Sequence, residues 1–210
     1  MSLGGRIARQ ARQPSGLFGR VCFWVMSHES RRANRAGVAL LSLCPGDRVL
    51  EVGFGHGRTL AALLEAVPNG HVSGVDFSPD AVRWAERSYA PAIRAGRLRL
   101  LCCEDVQMPV QDASVDKILS VHTVYFWTDP EEHLRQFARV LAPNGRLVLG
   151  WGVPTAHSSS RFPDDVYRFP TAGHMTQLAR QAGFTDVRVA PSHDESKTFL
   201  WLVAAKGSAS

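Results

Sequence analysis

VLEVGFGHGR, residues 49–58, sets the reading of the whole chain. An apolar run carrying one acid, Glu51, empties into glycines at alternate positions, Gly53, Gly55 and Gly57. A buried strand that ends this way leaves bare backbone at the carboxyl edge of a sheet, where a nucleotide-like ligand can lie against it. The next acidic landmark is Asp76, closing HVSGVD 19 residues beyond Gly57. That is close to the roughly 20-residue offset of ribose-binding carboxylates in βαβ folds.

Outward from this loop the chain alternates short apolar runs with longer amphipathic ones. Strands are predicted at 48–53, 71–76, 98–103, 115–121, 146–151, 186–189 and 198–205, and helices at 57–67, 79–89, 130–141 and 172–182. Ser78-Pro79-Asp80 and Asp129-Pro130-Glu131 each offer a capping side chain, a proline at the first helical position and an acid in the first turn. Asn144-Gly145 predicts a turn into the fifth strand. The alternation implies an α/β fold, a mostly parallel sheet with helices on both faces. Residues 17–45 read as amino-terminal cap helices, 46–151 as the ligand-binding core, 152–170 as a lid loop and 171–210 as a last helix and strand pair, all in one domain.

The 210 residues carry 45% hydrophobic and 20% charged side chains, enough for one sizeable core. Residues 1–16 lack helical periodicity and read as a mobile lead-in. The net charge of +5 is concentrated at this end: residues 1–35 hold seven arginines against Glu29 alone, and the remainder is nearly neutral. Such an arm suits nucleic acid, an anionic surface or plain solvation. Cys22, Cys44, Cys102 and Cys103 show no metal-ligand spacing and read as reduced thiols of a cytoplasmic protein. No metal is implied, and no apolar run is long enough to span a membrane.

G-x-G-x-x-G would require glycine at position 58, where Arg58 stands. The spacing Glu51-x-Gly53-x-Gly55-x-Gly57 instead resembles the first motif of class I S-adenosylmethionine-dependent methyltransferases. Further landmarks follow in that family's order: Asp76-Phe77, then Cys103-Glu104-Asp105-Val106, then VDKILSV running into His122, then Arg139-Val140-Leu141-Ala142-Pro143-Asn144-Gly145. The resemblance covers residues 47–150 and is strongest to small, single-domain members of the ubiquinone/menaquinone-biosynthesis type. Gly16-Leu17-Phe18-Gly19 stands where that subgroup often carries a Tyr-Asp pair, so a quinone acceptor is not inferred.

The resemblance implies a Rossmann-like seven-stranded sheet of order 3-2-1-4-5-7-6 with the last strand antiparallel, and S-adenosyl-L-methionine as cofactor. It places Glu51, Gly53, Phe54, Gly55 and Gly57 along the cofactor and gives Asp76 the ribose hydroxyls. Phe77 would lie on the adenine, with Glu104, Asp105 and Val106 around its amino edge and Ser120 and Val121 at the end of the fourth strand. Charge-assisted hydrogen bonds that a carboxylate accepts from ribose hydroxyls are worth roughly 1.5 to 3 kcal/mol each.

Methyl transfer from a sulfonium is an in-line displacement that asks the protein mainly for alignment, worth roughly 7 to 11 kcal/mol, and for exclusion of water. In Ser120-Val121-His122-Thr123-Val124-Tyr125-Phe126-Trp127 the candidates are His122, as a base or as a group that positions ligand, and Tyr125. His28, Asp164, Asp165, Tyr167 and Arg168 are candidates to orient a polar acceptor. The family's nucleic-acid enzymes carry Pro-Pro-aromatic or Pro-Cys motifs where this chain reads SVHTVYFW, so a small-molecule acceptor is expected. The alternatives are an RNA or protein methyltransferase using the basic arm, a cofactor-binding protein without turnover, and a nicotinamide-dependent oxidoreductase. Oligomeric state is not read from these features.

Overall fold

A computed structural model describes residues 31–103, 106–153, 168–192 and 199–208. Helix α1 (Arg31–Leu41) precedes β1 (Arg48–Val52), α2 (Arg58–Ala66), β2 (His71–Asp76), α3 (Pro79–Ser88), α4 (Ala90–Arg94) and β3 (Leu98–Cys102). There follow β4 (Val115–Val121), a 3-10 turn (Val124–Phe126), α5 (Pro130–Val140), β5 (Leu141–Gly152), α6 (Ala172–Gln181), β6 (Phe184–Pro191) and β7 (Phe199–Lys206). The strands form one sheet of order β3-β2-β1-β4-β5-β7-β6. Neighbours from β3 through β5 are parallel, and β7 is antiparallel to both β5 and β6. This is the Rossmann-like arrangement that the resemblance implied.

Strand residues alternate between two buried layers. Leu50, Ile118, Leu147 and Leu149 face Leu134 and Phe137 of α5, while Val49, Val72, Leu119 and Val148 face Leu60 and Leu63 of α2 and Leu41 of α1. Each fully buried leucine contributes roughly 1.5 to 3 kcal/mol from area removed from water. Helix α1 approaches β4 and β7 so closely that a Cβ on Gly37 would sit 2.9 Å from Leu119 Cδ1 and 3.0 Å from Trp201 Cη2.

The helix starts use the expected caps. Ser78 Oγ accepts from Ala81 N at 3.3 Å and Asp129 Oδ1 from Glu132 N at 3.0 Å. Two carboxyl ends are closed by arginines distant in sequence: Arg146 of β5 donates to Leu40 O and Ser42 Oγ, and Arg97, just before β3, to Leu64 O and Val67 O.

Some boundaries differ from the sequence reading. The Asn144-Gly145 turn lies inside β5, not before it, as a bulge with Asn144 at φ 62° and a register shift against β4. Only glycine fits next, since a Cβ on Gly145 would collide with Leu141 Cδ2. The sixth strand also runs longer than 186–189, with a second bulge at Asp186 (φ 50°). Helix α4 has no counterpart in the predicted elements; five residues give too short a window for periodicity. Residues 1–30, which hold most of the basic arm, Cys22 and the first part of the cap, lie outside the described residues, as do 154–167 of the lid and the strip 104–105. No disulfide joins Cys44, Cys102 and Cys103, and no described helix is long and apolar enough to cross a membrane.

Candidate active site

The carboxyl ends of β1, β2 and β4 converge on the glycine loop. Gly53, Gly55 and Gly57 take φ of 77°, 53° and 67°, the left-handed region in which a Cβ is strained. Gly53 N donates to Val75 O at 2.7 Å and Gly57 N to Phe54 O at 2.8 Å. A Cβ on Gly53 would collide with Thr123 Cγ2, so the loop and the segment after β4 are packed directly together. Ser120, fully buried in register with Val52, donates to Val52 O at 2.9 Å, and its hydroxyl lies 2.6 Å from Thr123 Oγ1.

Two buried acids sit beneath this loop. Asp76 is 5% exposed; its Oδ2 accepts from Gly55 N at 2.8 Å and its Oδ1 from Ser78 N at 2.9 Å. Burial raises its pKa, and the bonds from Ser78, Gly55 and Phe77 backbone oppose that rise. Glu51 is 6% exposed, and burial pushes its pKa up to about 8; a bond from Thr59 opposes the shift and the Asp76 charge adds to it. Its Oε2 is buried without a hydrogen-bond partner among the described residues. A buried acid oxygen left over beside a loop of bare backbone fits a ligand that brings its own cation or donor. That is the chemistry of a sulfonium that carries an adenosine and a free amino acid.

Phe54 is 4% exposed and its ring packs on β2, where a Cβ on Gly74 would come within 2.8 Å of Phe54 Cδ1. Its contribution at the loop is therefore backbone, with the side chain a core member. Phe77, Val106 and Val121 are half-buried around the same edge. Glu104 and Asp105, expected near an adenine, lie outside the described residues, as do His28, Asp164, Asp165 and Tyr167.

His122 follows β4 with φ 61°, unusual for a residue with a Cβ, and its N donates to Gly150 O at 2.8 Å. Its Nδ1 lies 3.0 Å from the Tyr125 hydroxyl, which accepts from Gly152 N at 2.5 Å. Phe199 meets the imidazole edge-to-face at 5.1 Å, and Phe169 packs on Tyr125 at 5.1 Å. Tyr125 is only 7% exposed and sits between the imidazole and β5. Trp127 turns away into the core, stacked on His133 at 4.7 Å and against Phe137. Arg168 donates from its backbone to Tyr125 O and from its side chain to Thr128 O, which occupies it in holding this segment.

Three residues at the site escaped the sequence reading. Thr59 bonds Glu51, Tyr89 donates its hydroxyl to Gly57 O at 2.7 Å, and Thr123 packs on Gly53. Thr59 had a local signal, since it stands two places past the last loop glycine. Tyr89 reaches the loop from the far end of α3 and has none.

Comparison with known proteins bears on the same region. A methyltransferase domain family matches residues 50–149. An arsenite methyltransferase of Halobacterium salinarum is 32% identical over 174 residues, covering 77% of this chain and 43% of its own length. This chain thus spans less than half of that relative. The ubiquinone/menaquinone biosynthesis C-methyltransferase UbiE of Syntrophotalea carbinolica is 29% identical over 184 residues, with 75% and 77% covered. Among solved structures, Haemonchus contortus phosphoethanolamine N-methyltransferase 2 in complex with S-adenosyl-L-methionine superposes with a TM-score of 0.73 at 15% identity, over 85% of this chain and 53% of that one. The chain belongs to the class I S-adenosylmethionine-dependent methyltransferases, and S-adenosylmethionine is its cofactor.

Proposed function

We propose that this chain transfers the cofactor's methyl group to a small-molecule acceptor held against His122. The observation that carries the reading is the contact between Thr123 and Gly53, which brings the imidazole segment directly onto the cofactor loop. The first relatives point the same way, since their names state arsenite and a quinone pathway, and another is called an O-methyltransferase.

Bound on the loop, S-adenosylmethionine supplies an electrophilic methyl group on a sulfonium. The chain's own residues do the rest by placement. Gly53, Gly55 and Gly57 offer backbone without side-chain bulk, and the Asp76 carboxylate, which holds the loop, would accept from the ribose hydroxyls. Glu51 would meet the amino-acid end of the cofactor with its unpartnered oxygen. Phe77 and Val106 would stand along the adenine, the part of the cofactor to which the resemblance also assigns Glu104 and Asp105.

Tyr125 acts through His122. Its oxygen accepts the Gly152 N–H, so its own hydrogen is available to Nδ1, an assignment that leaves Nε2 as the protonated nitrogen of a neutral ring. His122 then orients the acceptor as a hydrogen-bond donor.

Transfer of labelled methyl to a panel of small thiols, phenols, amines and trivalent arsenite tests the reading. H122A is expected to lose about a hundredfold in kcat on the responsive acceptor while binding the cofactor normally, and H122Q, which keeps a donor, to lose under tenfold. Cofactor binding with no turnover on any acceptor, or transfer only to RNA or protein, would overturn the small-molecule assignment.

A further inference from the structure

The opposite end of the sheet carries a second concave site. No helix lies in the described part of the β3–β4 connection, residues 106–114. One flank of β2 and β3 is therefore left without the helical cover that α2 and α3 give the other. The side chains follow this difference. Val72, Leu98 and Leu100 point to the helix-covered layer, whereas His71, Ser73 and Arg99 occupy the other face.

A cleft of about 250 Å³ opens there, lined by Arg48, His71, Ser73, Arg99, Gln111 and Ser114 among others. Arg48 pairs in register with His71, and Ser73 with Arg99, so the four residues step across three adjacent parallel strands on one face, with Arg48 and Arg99 at the two ends. Two guanidinium groups line the cleft, and among the described residues no carboxylate does. Asp116 clamps one edge of Arg48, accepting from Nε at 3.0 Å and Nη2 at 2.8 Å, which fixes the guanidinium plane and leaves Nη1 for another acceptor. Arg99 is exposed and forms no ion pair among the described residues. Nearby Arg97 donates Nη2 to Leu64 O and Val67 O at the end of α2, while its Nε is buried without a hydrogen-bond partner among the described residues. His71 reports the surplus: burial, then Arg99, then Arg97 lower its pKa. Its Nδ1 lies 3.5 Å from Ser73 Oγ.

We propose that this cleft binds a small oxyanion, free phosphate or the phosphate of a phosphomonoester, between the Arg48 and Arg99 guanidinium groups and the Ser73 hydroxyl. An oriented fork, a second unpaired guanidinium and a hydroxyl match the several acceptor oxygens of one tetrahedral anion. The cleft sits at the amino ends of strands whose carboxyl ends hold Gly53 and Asp76, roughly 15 Å away along the strands. Binding here is independent of the methyl-transfer reading.

The test is calorimetry on the full chain with inorganic phosphate and with glycerol 2-phosphate, against chloride at matched ionic strength. Saturable binding of either phosphate, weakened at least tenfold in R99E and unchanged in R87E on helix α3 across the sheet, supports the site; a tighter monoester identifies the phosphomonoester as the source and a tighter inorganic ion the free anion. Circular dichroism and cofactor binding confirm that R99E is folded. No saturable heat beyond chloride, or equal losses in R99E and R87E, overturns the proposal.

Discussion

Glu51 joins the site to solution pH. Its folded pKa of about 8 lies above the ordinary 4.5, so between those values the folded state holds a proton that the unfolded state has released. Glu51 therefore costs the cofactor-free protein stability as pH rises through that window. E51Q should match the wild type near pH 5 and exceed it increasingly toward pH 8 in thermal midpoint; parallel curves would refute a buried protonated acid. An ammonium-bearing ligand beside Glu51 favours its charged form, so cofactor binding at pH 7 should release a proton. Calorimetry in two buffers of different ionisation enthalpy would detect this release, which E51Q should lack. Asp76 adds structural duty to its ribose assignment, because its oxygens hold Gly55 N and Ser78 N. D76A is expected to weaken cofactor binding at least tenfold, about 1.4 kcal/mol, and to lower the melting temperature; unchanged affinity would remove the assignment. Both acids were legible in the sequence because each sits at a strand end beside its own motif. Thr123 and Tyr89 were not, since their partners are long-range and no local spacing announces them.

At the scale of elements, the glycine loop is tied at several points: Val75 from β2, Thr123 from the segment after β4, and Tyr89 from the end of α3. G53A places a Cβ against Thr123 at φ 77°, and the loop must move or the strands must part. We expect it to cost about 1 to 3 kcal/mol in denaturant unfolding and to abolish tight cofactor binding. G53A combined with T123S should recover part of the loss, by removing the methyl group it strikes. The strands and most helices were readable from period and capping residues, since burial on two faces leaves apolar runs and caps sit within three residues of what they bond. The bulges at Asn144 and Asp186 were not, because a bulge is a mismatch between two strands and neither sequence alone records it.

Across the whole molecule, one sheet links cofactor loop, imidazole and last hairpin. The alternation of elements established the layered class, but strand order came only through the family resemblance, because periodicity does not say which strands adjoin. If the loop and the His122 segment form one packed unit, cofactor addition should slow amide exchange at 53–57 and at 122–126 together, while β6 at the far edge stays unchanged. Protection confined to the glycine loop would separate the two. Arg139 shows how widely such a unit is anchored: from α5 it donates to Met108 O and Val110 O and pairs with Asp112, fastening the β3–β4 connection to the helix beside β4.

The Tyr125 oxygen is shared by the ring nitrogen of His122 and the peptide N–H of Gly152, the last residue of β5. Any tug on the chain as it departs that strand is delivered, through a single phenol, to the imidazole that we propose holds the acceptor.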